Sequence, residues 1–202
     1  MARRLHQGRQ KARRLRDLIS KPNPLETGAD SRSAPFFVYS SEMILVTGGA
    51  GFIGANFVLD WFANPATAHE GMINLDALTY AGNRENLASL ANQPLHQFVH
   101  GDIGDTALVT HLIRAHKPRA IVNFAAESHV DRSIHWPADF IQTNIQGTFN
   151  LLECARAYWQ GLPQEDAKSF RFLHVSTDEV YGSLGPQDPA FTETTAYQPN
   201  SP

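Results

Sequence analysis

A glycine cluster at residues 48–54 constrains the fold of this 202-residue chain more than any other feature. It follows the β-branched run MILVT, which predicts a strand over 43–47, and residues 52–62 then show helical periodicity. Glycines between a strand and a helix permit a tight turn, let backbone amides approach a pyrophosphate, and let the helix pack closely on the sheet. The cluster therefore predicts a dinucleotide-binding loop, although a plain glycine turn is the alternative reading.

An acid at the end of the next predicted strand favours the dinucleotide reading. The run GMINLD predicts a strand over 71–76, and its last residue, Asp76, lies 22 residues after Gly54. A carboxylate at this position can accept hydrogen bonds from ribose hydroxyls and repels a 2′-phosphate. We therefore expect NAD rather than NADP as the cofactor.

The rest of the chain alternates strand and helix patterns. Helices are predicted over 105–116 and 138–159, and further strands over 95–102, 119–126 and 170–176. Alternation of this kind is typical of right-handed βαβ units, in which helices cover both faces of a parallel sheet. The predicted fold class is α/β, a Rossmann-type doubly wound parallel sheet.

Polar residues follow two of these strands and should face the same crevice, because ligands bind beyond the carboxyl ends of such strands. Asp102 could accept a hydrogen bond from an adenine amine, or equally well cap the following helix. After the fourth strand, the small Ala125 and Ala126 leave room for a cofactor. The polar run 127–129 follows them, either as part of the crevice or as a solvated loop.

Two adjacent acids follow the fifth strand. Thr177, Asp178 and Glu179 come directly after FRFLHVS, at the end of the sheet where the cofactor is expected. Such residues often cap a helix. Near a redox cofactor, two carboxylates can instead divide acid and base roles if their environments separate their pKa values. Spacing alone does not decide between these two readings.

Composition excludes several classes of function. The single cysteine, Cys154, cannot form an internal disulfide, and the nine histidines show no spacing suited to one metal ion. No apolar run reaches the roughly 18 residues of a membrane span. We expect a soluble, cytoplasmic protein that binds neither metal, membrane nor nucleic acid.

The first 42 residues differ in charge from the rest of the chain. They carry nine Lys/Arg and four Asp/Glu, whereas residues 43–202 carry eight and sixteen. Few large apolar side chains are present to order this leader, so we expect residues 1–42 to be a disordered extension. An organellar transit peptide or a nucleic-acid-binding arm is the less favoured alternative.

Residues 43–202 resemble a known family, the extended short-chain dehydrogenase/reductases, and within it the dTDP-glucose 4,6-dehydratases. The resemblance is carried by TGGAGFIG, LDALTYAGN, FAAESHVDRS, TNIQGT, FRFLHVSTDEVYG and FTETTAY. It implies that NAD oxidises the sugar at C4, a Glu removes the C5 proton, an Asp protonates the departing C6 hydroxyl, and the hydride returns to C6. Alternatives are a dehydratase or epimerase acting on a UDP- or GDP-sugar, and a non-catalytic NAD-binding module.

The resemblance also implies roles for individual residues. Asp178 resembles the general acid and Glu179 the general base, while Thr177 and Ser128 resemble contacts to the hexose of the nucleotide-sugar substrate. Together with the motif glycines, the implied NAD contacts are Gly48, Gly51, Phe52, Ile53, Gly54, Asp76, Ala77, Leu78, Thr79, Asp102, Ile103, Ala125, Ala126 and Thr143.

One expected element of the family is missing from the sequence. No tyrosine of the chain has a lysine four residues later, so the Tyr-x-x-x-Lys pair that would deprotonate the C4 hydroxyl is not present. We therefore expect an N-terminal fragment in which residues 43–202 form an incomplete NAD-binding domain. Without the substrate domain, the fragment should be inactive alone. The resemblance also implies homodimers whose interface includes the helix that carries this pair. Because that helix is missing here, its partner helix near 139–159 should present uncovered apolar surface, and we expect poor solubility and doubtful dimerisation of the chain itself.

Overall fold

Five parallel strands form a single sheet, and they are the framework of the protein. The computed structural model describes residues 14–16, 19 and 42–200. The strand order is β3-β2-β1-β4-β5, which is that of a doubly wound Rossmann sheet. The predicted fold class is thus confirmed. The strands are β1 Met43–Thr47, β2 Gly71–Asp76, β3 His96–His100, β4 Ala120–Asn123 and β5 Arg171–His174.

Helices connect these strands. They are α1 Phe52–Ala63, α2 Thr106–His116, α3 Val130–His135, α4 Pro137–Phe140, α5 Thr148–Gln160 and α6 Gln164–Ser169, with a π-helical segment Ile141–Gly147 and 3-10 helices Arg84–Leu90 and Asp178–Tyr181. Two of them, α3 and α6, fall in stretches for which the sequence analysis predicted no helix. None of the helices in the described part of the chain is long and apolar enough to cross a membrane.

Alternate residues of each strand pack on opposite faces of the sheet. Ile44 and Val46 of β1 belong to a core with Phe57 and Trp61 of α1. Leu45, between them, packs on the other face, in a core with residues of α2 and α5. Both cores are built from side chains that are almost fully buried, and burial of apolar area at this scale is the main stabilising term of such a domain.

The long helix predicted over 138–159 is interrupted. It begins at Pro137, and a π-helical segment occupies 141–147 before the α-helix resumes. Two features place this segment close to the loops at the end of the sheet. The Asn144 side chain exchanges two hydrogen bonds with the backbone of Glu127, and a Cβ on Gly147 would lie 2.9 Å from the Ile103 side chain. The wider π turn brings this helix close to the loops at the end of the sheet, and π segments often occur at functional sites.

Most of the predicted leader, residues 1–42, lies outside the described residues. The residues of it that are described contact the domain. Leu15 packs against the α1 core, Ile19 is 5% exposed, and the Arg16 guanidinium forms an ion pair with Asp60 of α1. Arg119 donates a 3.0 Å hydrogen bond to the Ile19 carbonyl oxygen. Composition alone gave no indication of these contacts.

Candidate functional site

A crevice opens at the carboxyl ends of the strands, where the chain switches from one side of β1 to the other. The β2 and β3 strands lie on one side of β1, and β4 and β5 lie on the other. This switch point is where ligands bind in doubly wound sheets. The crevice is lined by Gly48, Gly51, Leu75, Asp76, Ala77, Thr79, Ala81, Gly82, Gly101, Asp102, Ile103, Phe124, Ala125, Ala126, Glu127 and Thr143.

Two glycines of the loop are required for different reasons. A Cβ on Gly54 would overlap the carbonyl oxygen of Gly48, so the protein's own backbone demands glycine there. At Gly51 the nearest atom to an added Cβ would be the same oxygen, at an ordinary 3.4 Å, and the backbone φ is −74°. The protein itself therefore has room for a Cβ at Gly51. A ligand that approached the loop backbone would account for glycine at that position.

The amino end of α1 faces this space without a competing group. Gly51 is its N-cap, no side chain caps the first turn, and that turn holds no acidic residue. The first amides of a helix and its dipole attract anions. Together with the space at Gly51, this makes the loop suited to a pyrophosphate.

Asp76 joins the glycine loop to the segment after β2. Its side chain is nearly buried, and its carboxylate accepts hydrogen bonds from the amides of Ala50 at 2.7 Å and Leu78 at 2.8 Å. Leu78 adopts a left-handed φ of 50°, a conformation that persists only where neighbouring contacts hold it. A carboxylate has about four lone-pair sites, so acceptor capacity remains for two ribose hydroxyls. The position fits the predicted role in NAD binding.

The two alternatives for Asp102 are separated by the structure. The cap of α2 is Asp105, whose side chain accepts a hydrogen bond from the Leu108 amide at 3.0 Å. Asp102 instead accepts from Gly104 at 2.6 Å and lines the crevice beside Ile103. It therefore remains available to a ligand.

The segment after β4 forms the opposite wall. Ala125 and Ala126 lie on the crevice, as does Thr143 of the π segment. The two hydrogen bonds between Asn144 and Glu127 fasten the π segment to this wall. The polar run after Ala126 is thus anchored in the crevice at Glu127, and its next residues reach the other wall, since the rings of His129 and Tyr80 pack at 5.6 Å.

The acid pair lies outside the crevice lining. Thr177 is the N-cap of the 3-10 helix, and its hydroxyl oxygen accepts from the Glu179 amide at 3.3 Å. Asp178 and Glu179 are exposed in the first turn of that helix. The capping role that spacing suggested is therefore present for Thr177. Tyr181 packs between Phe191 and Tyr197, with ring centroids 5.2 and 5.5 Å away.

The structure brings most of the predicted cofactor residues together. Those on the crevice are Gly48, Gly51, Asp76, Ala77, Thr79, Asp102, Ile103, Ala125, Ala126 and Thr143. The predicted residues outside its lining are Phe52, Ile53, Gly54, Leu78, Ser128, Thr177, Asp178 and Glu179. Within residues 14–16, 19 and 42–200, no group of three or more His, Cys, Asp or Glu side chains is arranged to hold a metal ion.

Four polar residues that organise the site were not predicted from the sequence. Asn144 fastens the π segment, and Thr47, Asn123 and His174 form a hydrogen-bonded row across the ends of β1, β4 and β5. A signal for the row was present, because each of these three residues is the polar end of an apolar strand.

The sequence of this chain matches known proteins over most of its length. Residues 45–202 match the family model described as GDP-mannose 4,6 dehydratase. The chain is 61% identical over 158 residues to a dTDP-glucose 4,6-dehydratase from Xanthomonas campestris pv. campestris, a match that covers 78% of this chain and 44% of that protein. The chain thus spans less than half the length of this curated relative.

Solved structures share the fold. A dTDP-glucose 4,6-dehydratase from Streptomyces venezuelae, solved with NAD bound, matches with a TM-score of 0.67 at 50% identity, covering 79% of this chain and 46% of that one. The UDP-Glc/GlcNAc 4-epimerase from Campylobacter jejuni matches with a TM-score of 0.65 at 28% identity, over 79% and 44% of the two chains. The fold is common to both enzymes, and the sequence is nearer to the dehydratase.

Proposed function

This chain belongs to the GDP-mannose 4,6-dehydratase family, and from that premise we propose that it binds NAD and serves the 4,6-dehydration of dTDP-glucose to its 4-keto-6-deoxy form. The observation that carries the proposal is the crevice in which Asp76 and Gly51 lie together. The choice of dTDP-glucose is supported by the 61% identity to a protein named for that substrate.

The residues of the crevice fit NAD. The amino end of α1 lacks both a cap and an acid, so it suits the pyrophosphate. Asp76 retains acceptor capacity for the adenosine ribose, and its negative charge disfavours the 2′-phosphate of NADP. Asp102 can accept from the adenine amine. Bound in this way, NAD would supply the hydride acceptor for oxidation at C4 and, in its reduced form, the hydride donor for C6.

The acid pair supplies the proton transfers in this proposal. Glu179 removes the proton at C5 of the sugar, and Asp178 gives a proton to the hydroxyl that leaves C6, while Thr177 and Ser128 hold the hexose. Both carboxylates are exposed, and the chain has no Tyr-x-x-x-Lys pair for the C4 hydroxyl. We therefore expect no turnover by the 202-residue chain alone.

Calorimetric titration of the purified chain with NAD tests the cofactor part of the proposal. We expect saturable binding that Gly51→Trp abolishes, because the indole would fill the space at the loop. Circular dichroism controls for folding of both proteins. A folded chain that does not bind NAD would contradict the proposal.

The substrate and the catalytic role need a separate test. The reading frame past codon 202 should continue and encode a Tyr-x-x-x-Lys pair if the chain serves an enzyme, whereas a genuine stop favours a non-catalytic NAD-binding module. A second candidate is a GDP-sugar dehydratase, which the description of the matching family model favours. A longer form of the protein, which includes the Tyr-x-x-x-Lys pair and the substrate domain, is then tested for product formation from dTDP-glucose, UDP-glucose and GDP-mannose. The sugar nucleotide that it converts identifies the substrate.

An apolar surface on the π segment and α5 suits contact with a second copy. We define it as Ile141, Ile145, Phe149 and Leu152, which are 44–65% exposed. Uncovered apolar surface of this kind marks an interface or causes aggregation. We propose that this apolar surface contributes to homodimers of the longer form of the protein, which includes the substrate domain. Sedimentation of a longer form that includes the substrate domain should show a dimer that the exposed-site variant Phe149→Glu weakens without changing the free energy of unfolding. Cytoplasmic location stays a prediction of composition.

A further inference from the structure

Asn123 lies fully buried at the end of β4, and both ends of its side-chain amide are hydrogen-bonded. Its Oδ1 accepts from the Thr47 hydroxyl at 2.5 Å and from the Ala125 amide at 3.1 Å. Its Nδ2 lies 3.0 Å from Nδ1 of His174. Register places Thr47 opposite Asn123 and Asn123 opposite His174, so the three side chains share one face of the sheet.

These contacts fix the orientation of the amide and the tautomer of the imidazole. The Ala125 backbone N–H can only donate, so the atom that faces it must be Oδ1 of Asn123. The Nδ2 group, a donor, must then face His174. Nδ1 of His174 is therefore an acceptor, which requires a neutral ring with its proton on Nε2. The residue is exposed at the end of β5, but partial desolvation of its ring lowers the pKa of His174 below its usual value, which favours the neutral ring.

We infer that Asn123 and His174 are positioning residues, which hold the cofactor wall at Ala125 in a fixed place relative to the strand that leads to the acid pair. Ala125 lines the crevice, and Thr177 follows His174 by three residues. A backbone bond of 3.0 Å, from the Val175 amide to the Asn123 carbonyl oxygen, reinforces the same junction. The row thus connects the two parts of the site that the proposed dehydration must bring together, and this inference rests on that proposed function.

The tautomer can be tested without any ligand. Two-dimensional ¹⁵N NMR of the imidazoles in the full chain at neutral pH should show His174 with a pyridine-like Nδ1 and a protonated Nε2. Asn123→Asp replaces the donor by an acceptor, so His174 should then carry a proton on Nδ1. A wild-type His174 protonated on Nδ1 would overturn the inference, whatever the outcome of NAD titrations.

The positioning role is tested by a matched pair of variants. His174→Leu removes the acceptor, whereas His174→Asn places an amide oxygen near the position of Nδ1. In the Leu variant the Ala125 amide should exchange with solvent roughly five- to tenfold faster, as for loss of about one hydrogen bond, and the NAD affinity should fall by a similar factor. The Asn variant should restore both quantities.

The results separate the two proposals. Wild-type Ala125 exchange and NAD affinity in His174→Leu would overturn the positioning role, and so would equal losses in the Leu and Asn variants, since a general packing defect would produce them. If the wild-type chain does not bind NAD, the proposed function fails, and the exchange and tautomer measurements still decide whether the row exists.

Discussion

The two sides of the crevice differ in how firmly the chain holds them. On the cofactor side, Asp76 is 6% exposed and bonded to two amides, and Asn86 donates to the Ala50 carbonyl oxygen at 2.9 Å. On the acid side, Asp178 and Glu179 are exposed, and β5 is only half buried. The cofactor side holds its carboxylate by buried contacts of the chain, whereas the acid side presents its two carboxylates on an exposed turn. Substitutions should therefore separate folding, cofactor binding and acid chemistry.

The largest effect is expected at Gly54. Gly54→Ala places a methyl group against the Gly48 carbonyl oxygen, and overpacking of this kind costs about 1–3 kcal/mol or more. We expect this loss in the free energy of unfolding, measured by urea denaturation. The matched control is Gly51→Ala, for which the structure has room.

Gly51→Ala should show the opposite pattern. It should change the free energy of unfolding by at most about 1 kcal/mol, the usual range for an N-cap substitution, and still weaken NAD binding at least tenfold in calorimetry. If both variants lost stability equally, glycine at 51 would be a requirement of the fold and the argument for a ligand there would be lost.

The next effect concerns the choice of cofactor. Asp76→Ala removes a charged acceptor, and hydrogen bonds to charged groups contribute about 1.5–3 kcal/mol, so NAD affinity should fall by one to two orders of magnitude. NADP affinity should fall less, because the repulsion of its 2′-phosphate is removed as well. Fluorescence titration of both cofactors gives a ratio in which any general loosening of the loop cancels. If the ratio of NAD affinity to NADP affinity were unchanged from wild type, the assignment of Asp76 to the ribose would be wrong.

A smaller effect is expected at the contact that joins the two walls. Tyr80 follows β2 and His129 follows β4, so their ring contact spans the glycine loop between them. Aromatic pairs contribute about 0.5–1.5 kcal/mol. Tyr80→Ala should therefore raise the NAD dissociation rate about two- to tenfold in stopped-flow measurements, whereas Tyr80→Phe keeps the ring and should behave as wild type. Equal rates in both variants would show that ring contact does not retain the cofactor.

The same contrast explains what the sequence could and could not predict. The bounds of β1 and β2 agree with prediction to the residue, because a β-branched run ending in glycine or acid is a strong local signal. The π segment was missed, since it depends on Asn144 meeting Glu127, 17 residues away in the chain. Asn123 and His174 resemble ordinary strand ends until the sheet register sets them side by side. Contacts between distant segments leave no periodic pattern.

The smallest effect on stability and NAD affinity is expected at the acid pair, and it gives the sharpest test of the comparison. Asp178→Asn and Glu179→Gln keep the shape of exposed side chains outside the crevice lining. Surface substitutions of this kind usually change stability by less than about 0.5 kcal/mol, and we expect NAD affinity to stay within about twofold of wild type, the same margin in affinity. In the longer form of the protein, which includes the Tyr-x-x-x-Lys pair, either substitution should abolish dehydration without affecting cofactor binding. A large loss of NAD affinity in the 202-residue chain would mean that the acids reach the cofactor, and the two sides of the crevice would then form one unit.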